Sequence, residues 1–315
     1  MSDDTEFRIL ALSGGGYLGL YSAAVLAALE AEVGEPIGRR FDLIAGTSVG
    51  GIIAAVVAFE IPVARLVDFF RDQGTDVFSP RPMPGGTFGR LLDLSRSVLG
   101  PKYGSGTLRD ALRAQFGDAT FAEALHPFLL PAVNVTHSLT KVFKTPHARA
   151  SRGDEKVRVC DAVLAACAAP AYFPSVRIGD ALYADGGLFA VAPDQVALHE
   201  AEHFMDVDLA RVRMLSIGTA TLGYQPAEGV DADAGAVGWL SDGRLILTLI
   251  AVQQQHEQAM AEDRLGARYL RLDARWPADA GLGIDVATPK AARTLIDLAA
   301  RTMREVDRKR LKAFL

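Results

Sequence analysis

A serine framed by glycines has the clearest claim to chemistry in this chain. Gly46-Thr47-Ser48-Val49-Gly50 fits the pattern G-x-S-x-G, in which a strand turns straight into a helix and presents the serine hydroxyl at the apex. Such a turn strains the serine backbone, and the residues two before and two after must be small because larger side chains would clash. A hydroxyl held this way can attack an acyl carbonyl, and the amides that open the following helix favour negative charge beside it. The same pentapeptide also serves as a plain tight turn.

Gly14-Gly15-Gly16-Tyr17-Leu18-Gly19 admits two readings. As G-x-G-x-x-G it matches a dinucleotide loop, which wants an acid closing the next strand about 20 residues on. Here Asp42 stands at the start of that strand, the wrong end. As an oxyanion hole, the Gly14, Gly15 and Gly16 amides converge on one cavity, each donor contributing about 3 kcal/mol to a developing oxyanion. Asp185-Gly186-Gly187 holds an acid at a strand end beside two glycines, which permits close approach to another loop. A carboxylate bonded to Ser48 can take its proton and return it to the leaving group. None of the six histidines, His126, His137, His147, His199, His203 and His256, stands in a glycine-framed turn after a strand. His256, within Gln253–Gln258, reads as part of a polar helix face. The candidate site is therefore Ser48 and Asp185, with Gly14, Gly15 and Gly16 as donors, Gly46 and Gly50 at the elbow, Gly186 and Gly187 supporting the acid, and no metal.

These residues need elements to hold them. Phe7 to Leu12 is a short apolar run ending in glycines, Leu18 to Glu32 has helical spacing, Asp42 to Ala45 is a second strand and Val49 to Glu60 a second helix. Strand and helix alternating within 60 residues imply an α/β fold with a mainly parallel sheet. Gly74 to Gly106 mixes prolines and glycines with Phe78, Met83, Phe88 and Leu91, and is too long for an ordinary connection. It reads either as a lid over the site or as a packed irregular excursion. Later segments read as helix (108–116), strands (129–135, 141–145), helix (159–168), strands (181–184, 213–217), helix (245–262), strand (268–272) and one final helix from Lys290 to Phe314. No repeat or low-complexity linker divides the chain, so the expectation is a single domain, 1–315, with a motif-bearing core over about 7–220 and a helical extension over about 245–315.

Composition bounds the function. Of 315 residues, 50% are hydrophobic and 23% charged, which excludes a disordered chain. A net charge of −5 argues against a binder of nucleic-acid polymer. Cys160 and Cys167 fall on one helix face with no zinc-like spacing, so they read as core residues of a protein from a reducing compartment. The acidic N-terminus is unlike a secretory signal. The uncharged stretch Leu43 to Phe59 is short of the ~20 residues of a membrane span and is broken by glycines. The expectation is a cytoplasmic protein. Arg301, Arg304, Arg308, Lys309, Arg310 and Lys312 outnumber Glu305 and Asp307; the run reads as a solvated helix face, with contact to anionic lipid as the alternative.

Taken in order, Ser13-Gly14-Gly15-Gly16-Tyr17-Leu18-Gly19, Gly46-Thr47-Ser48-Val49-Gly50 and Asp185-Gly186-Gly187 resemble the patatin-like phospholipase family over roughly residues 7 to 220, as does Ala169-Pro170-Ala171-Tyr172-Phe173-Pro174. The resemblance implies a three-layer α/β/α hydrolase that cleaves acyl esters of phospholipids at a membrane surface. It implies a Ser–Asp dyad of Ser48 and Asp185, an oxyanion hole at Gly14–Gly16, and no cofactor for catalysis. Two positions depart from the family: Leu18 stands where Arg or Lys is common, and Val191-Ala192-Pro193 where Asn-Asn-Pro is frequent. Within the family, the compact size and the run Val142-Phe143-Lys144-Thr145 resemble bacterial anti-phage (CBASS-type) effectors. That likeness implies activation by a cyclic dinucleotide and peripheral contact with the inner face of the membrane, and leaves a homo-oligomer open. The rivals are an esterase with a Ser–Asp–His triad, and a catalytically silent sensor whose Gly14–Gly19 loop cradles phosphates.

Overall fold

The computed structural model describes residues 5–78, 101–224, 239, 244–275, 277 and 281–315. A mixed sheet is built from β1 (Phe7–Leu12), β2 (Leu43–Gly46), β3 (Phe128–Asn134), β4 (Leu139–Lys144), β5 (Val176–Ile178), β6 (Ala181–Asp185), β7 (Val212–Ile217) and β8 (Tyr269–Leu272). The order is β5-β6-β3-β2-β1-β7-β8, with β4 paired to β3. β1, β2, β3, β7 and β8 run parallel; β4 and β6 oppose β3.

Both faces of the sheet are covered, so the central strands read as continuous apolar runs. Leu10, Leu12, Ile44 and Leu130 face one layer, while Ile9, Ala11, Leu43, Ala45 and Leu129 face the other. The first layer comprises α1 (Gly19–Val33), α2 (Val49–Ala58), α3 (Val63–Val77), α5 (Val159–Ala166) and α8 (Pro289–Glu305), with α4 (Gly106–Phe116) beside α5. The second is made by α6 (Asp194–His199) and the C-terminal part of α7 (Arg244–Leu265), through Ala197, Leu198, Ala261 and Leu265. This is the α/β sandwich that the motif order implied.

Two expectations change. The irregular stretch set to begin at Gly74 begins later, because Val63, Leu66, Phe70, Gly74 and Val77 are the buried face of α3. Gly74 is a helix residue where a Cβ would press on the Tyr17 ring. Met83, Phe88 and Leu91, offered as part of a lid, lie outside the described residues. The final helix is two helices: Val306 leaves helical geometry (ψ 137°), and the Asp307 carboxylate caps α9 (Arg308–Lys312) by accepting from the Lys309 and Arg310 amides. Two of the basic residues there are tied to the body, Arg308 to Glu32 and Arg310 to the Tyr269 carbonyl. Cys160 and Cys167 are buried free thiols, as expected of core residues.

Candidate active site

The edges of β3 bring the motifs together. β4 pairs with Leu129–Asn134 along one edge, so β2 and β6 share the other in succession. Ala45 of β2 sits opposite Leu129, and Asp185 of β6 opposite Ala132. Because β2 runs parallel and β6 antiparallel to β3, their C-terminal ends point at one another across three residues of β3, about 10 Å. Ser48 lies just past the end of β2, and Asp185 is the last residue of β6. On the other side of β2, Leu12 of β1 is level with Gly46, which brings the Gly14–Gly16 loop out at the same place.

Ser48 sits at the apex of the β2–α2 turn with φ 54° and ψ −125°, a strained backbone for a residue with a side chain. The turn closes only because Gly50 has no Cβ; one there would land on the Leu12 carbonyl. At the opposing strand end, a Cβ on Gly186 would strike the Pro131 carbonyl. The Ser48 side chain stands close enough to the Asp185 carboxylate to favour its ionised form, and Asp185 Oδ1 accepts from the Gly187 amide at 2.7 Å. Asp185 is only 4% exposed. Burial pushes its carboxyl up to about 6, against the Ser48 side chain and the Gly187 N–H, which favour the ionised form. A carboxyl so placed can accept a proton near neutral pH.

The glycine loop departs from the expected set of three donors. The Gly14 amide is engaged, donating to the Val191 carbonyl at 2.8 Å. Gly14 instead lets the loop lie against Ser48, since a Cβ there would come within 3.2 Å of the Ser48 Cβ. Nothing among the described residues accepts from the Gly15 or Gly16 amides. Leu18, at the position where a basic residue was missed, is fully buried in the core and does not line the site.

Ser48 and Asp185 open into a cavity of about 310 Å³. Val49, Ile52 and Val56 form one wall along a single face of α2, about 10 Å of helix at 1.5 Å per residue. Leu108 and Leu112 of α4 and Ile250 of α7 stand among the other lining groups. Two charges besides Asp185 reach the cavity wall among the described residues, Arg65 and Asp285, and Asp285 is bound by Lys102 and the Tyr103 hydroxyl. No histidine lines it: His126 bonds Glu60, His147 bonds Glu200, and His256 is exposed on α7. No group of three or more His, Cys, Asp or Glu fit to hold a metal occurs among the described residues.

The family model of patatin-like phospholipases matches residues 10–198, more than half of the chain and all three motifs. The chain belongs to the patatin-like phospholipase family. It is 39% identical to a cGAMP-activated phospholipase of Pseudomonas aeruginosa over 89% of this chain and 81% of that protein. A cGAMP-activated phospholipase of Vibrio cholerae is 34% identical over 94% of this chain and 89% of its own length. A cUMP-AMP-activated phospholipase of Escherichia coli is 30% identical over 69% of this chain and 65% of that protein. This patatin-like phospholipase thus shares most of its length with bacterial enzymes of the same activity.

Sequence reasoning missed the contribution of α3 and α7 to the patatin site. Leu66 and Phe70 of α3 line the cavity, and their i, i+4 spacing within 63–77 was the available signal. Gln253 and Gln254 of α7 bond the Val191 and Gly14 loops beside Ser48 and Asp185, and nothing in a run of glutamines marks them for that place.

Proposed function

We propose that this phospholipase cleaves acyl esters of membrane phospholipids through a Ser48–Asp185 dyad, on a signal from a cyclic dinucleotide in anti-phage defence. The observation that carries the catalytic part is the placement of the Ser48 side chain beside the buried Asp185 carboxylate at the head of one apolar cavity. Ser48 Oγ attacks the ester carbonyl while its proton passes to Asp185. The tetrahedral oxyanion is met by the Gly15 and Gly16 amides and by the N-terminal end of α2. Collapse expels the lysophospholipid alkoxide, which takes the proton from Asp185 and leaves Ser48 acylated. Water then gives a proton to Asp185, attacks the acyl-enzyme, and releases the fatty acid as Ser48 regains its proton. The apolar walls of α2, α3 and α4 receive the acyl chain.

Leu188 and Leu249 line the cavity yet are 55% and 46% exposed, and Val252 lies on α7 within one turn of Leu249, 57% exposed. These side chains form an apolar rim that would meet the bilayer holding the substrate. No helix among the described residues is long and apolar enough to cross a membrane, and our reading is of a cytoplasmic enzyme reaching the inner face of the membrane from outside the bilayer. Regulation rests on the relatives whose names give a cyclic-dinucleotide activator over most of their length. Those names differ in the dinucleotide, so this chain's activator must be measured.

The test is free fatty-acid release from mixed phospholipid vesicles, wild type beside Ser48→Ala, with and without a panel of cyclic dinucleotides. Release that one dinucleotide switches on and Ser48→Ala abolishes supports the whole reading. Release independent of every dinucleotide removes the regulatory part. No release under any condition, with the two proteins alike, removes the catalytic part.

A further inference from the structure

Two adjacent glutamines on α7 grip the two loops that carry the chemistry. Adjacent helical positions point about 100° apart, so Gln253 and Gln254 reach different loops from one turn of helix. The Gln253 amide accepts from the Val191 N–H at 3.1 Å and donates to the Gly187 carbonyl at 3.4 Å. It therefore holds the turn that follows Asp185, whose Gly187 N–H bonds the Asp185 carboxylate. Gln254 is 4% exposed; its amide nitrogen donates to the Gly14 carbonyl and to the Thr219 hydroxyl at 3.4 and 3.3 Å. Its oxygen accepts from Arg271 at 2.7 Å and Thr221 at 3.0 Å.

The two grips are joined. The Gly14 N–H donates to the Val191 carbonyl, so Gln253, Val191, Gly14 and Gln254 close a ring of hydrogen bonds between α7 and both loops. Behind the ring, Arg271 also donates to the hydroxyls of Ser13 and Ser216 and is paired with Asp273, all buried. Thr219 stands directly against Gly15, where a Cβ would come within 2.8 Å of its hydroxyl. A buried polar network this fully connected fixes geometry, because any displaced member leaves an unpaired polar group in a dry place.

We propose that Gln253 and Gln254 are positioning residues of the acyl-transfer reaction: Gln254 holds the oxyanion glycines in register with Ser48, and Gln253 holds the Asp185 turn. The inference rests on the dyad reading above. Gln254 does not line the cavity, so its removal lowers turnover and leaves substrate binding alone; Gln253 borders the cavity, so the pH profile and not KM reads its role. Gln253 also lies beside the one charge that titrates in the reaction, which makes pH a direct readout of its place.

The experiment measures kcat, KM and the pH profile on a soluble short-chain ester, with thermal melts, for Gln253→Met, Gln253→Glu, Gln254→Leu and Gln254→Glu in the full chain. Ser48→Ala and Asp185→Asn are assayed alongside, and any dinucleotide found to activate the wild type is included throughout. The expected result is a fall in kcat of about tenfold or more for each Gln variant, with KM within about twofold for the two Gln254 variants. Gln253→Glu, which brings a second carboxylate toward Asp185, moves the acid limb of kcat/KM upward by about half a pH unit or more. Gln253 is only partly buried, so its variants decide the matter should either Gln254 variant fail to fold. Folded Gln253 variants with wild-type kcat and an unmoved acid limb would overturn the proposal while Ser48→Ala and Asp185→Asn remain inactive. If Asp185→Asn keeps wild-type turnover, the dyad reading falls, and the positioning proposal falls with it.

Discussion

Replacing Asp185 by Asn is expected to abolish turnover and, at neutral pH, to stabilise the protein. Burial raises the Asp185 carboxyl from 3.8 to about 6 although the Ser48 side chain and the Gly187 N–H favour the ionised form. The native state therefore holds this proton more tightly than the unfolded chain does, and ionising the group costs more inside the fold. Its contribution to stability is whole below about pH 4, declines as pH rises through the interval between 3.8 and about 6, and is gone above it. A rise of that size corresponds to about 3 kcal/mol. Asn keeps the shape and the acceptor for the Gly187 N–H but has no charge to desolvate. D185N should therefore gain up to about 3 kcal/mol above pH 7, roughly 5 °C in Tm for a chain of this length, and almost nothing near pH 4. Reversible thermal unfolding of the two proteins from about pH 4 to pH 8 measures this directly. A D185N melt at or below wild type at pH 8, or a gap that fails to shrink toward pH 4, would refute the reasoning. On the proposed dyad the same carboxyl governs the rate, and kcat/KM should climb as pH rises through about 6.

Three further outcomes follow from the site. Val56→Trp fills the part of the α2 wall farthest from Ser48, so the preference among ester chain lengths should shift toward shorter acyl groups with short-ester kcat/KM within about threefold; an unchanged chain-length profile would mean the acyl group lies elsewhere. Leu188→Glu with Leu249→Glu should cut release from vesicles about tenfold or more and spare a soluble ester, because the charges would have to enter the bilayer with the rim; equal losses on both substrates would remove the rim from membrane contact. His256→Ala should leave kcat within about twofold, since His256 is exposed on α7 and does not line the cavity; a large loss would restore the Ser–Asp–His triad.

Local constraints explain why so much of the site was legible. Gly50 and Gly186 stand where a Cβ would strike a backbone carbonyl, and Ser48 takes a backbone that only a forced turn imposes. Each requirement acts within a few residues and leaves a fixed residue type at a fixed spacing. The parallel core was legible in the same way, because strands covered on both faces are short uninterrupted apolar runs. Capping also acts locally, yet the break at Val306 escaped notice because the amphipathic spacing continues across it, and only the Asp307 cap marks the second start.

The sequence by itself determined which residue is strained, which strand ends are crowded, and which family's order of motifs the chain carries. Tertiary structure decided what those residues meet. Ser48 and Asp185 are brought side by side because β2 and β6 share one edge of β3 from opposite directions. The Gly14 amide is withdrawn from the donor set by the Val191 carbonyl, far away in the chain. Gln253 and Gln254 hold both loops through partners more than sixty and two hundred positions away. The reason is one of range: steric demands of a turn are written beside the turn, whereas a hydrogen-bond partner is set by how distant segments cross, and any polar residue of suitable length can occupy that crossing.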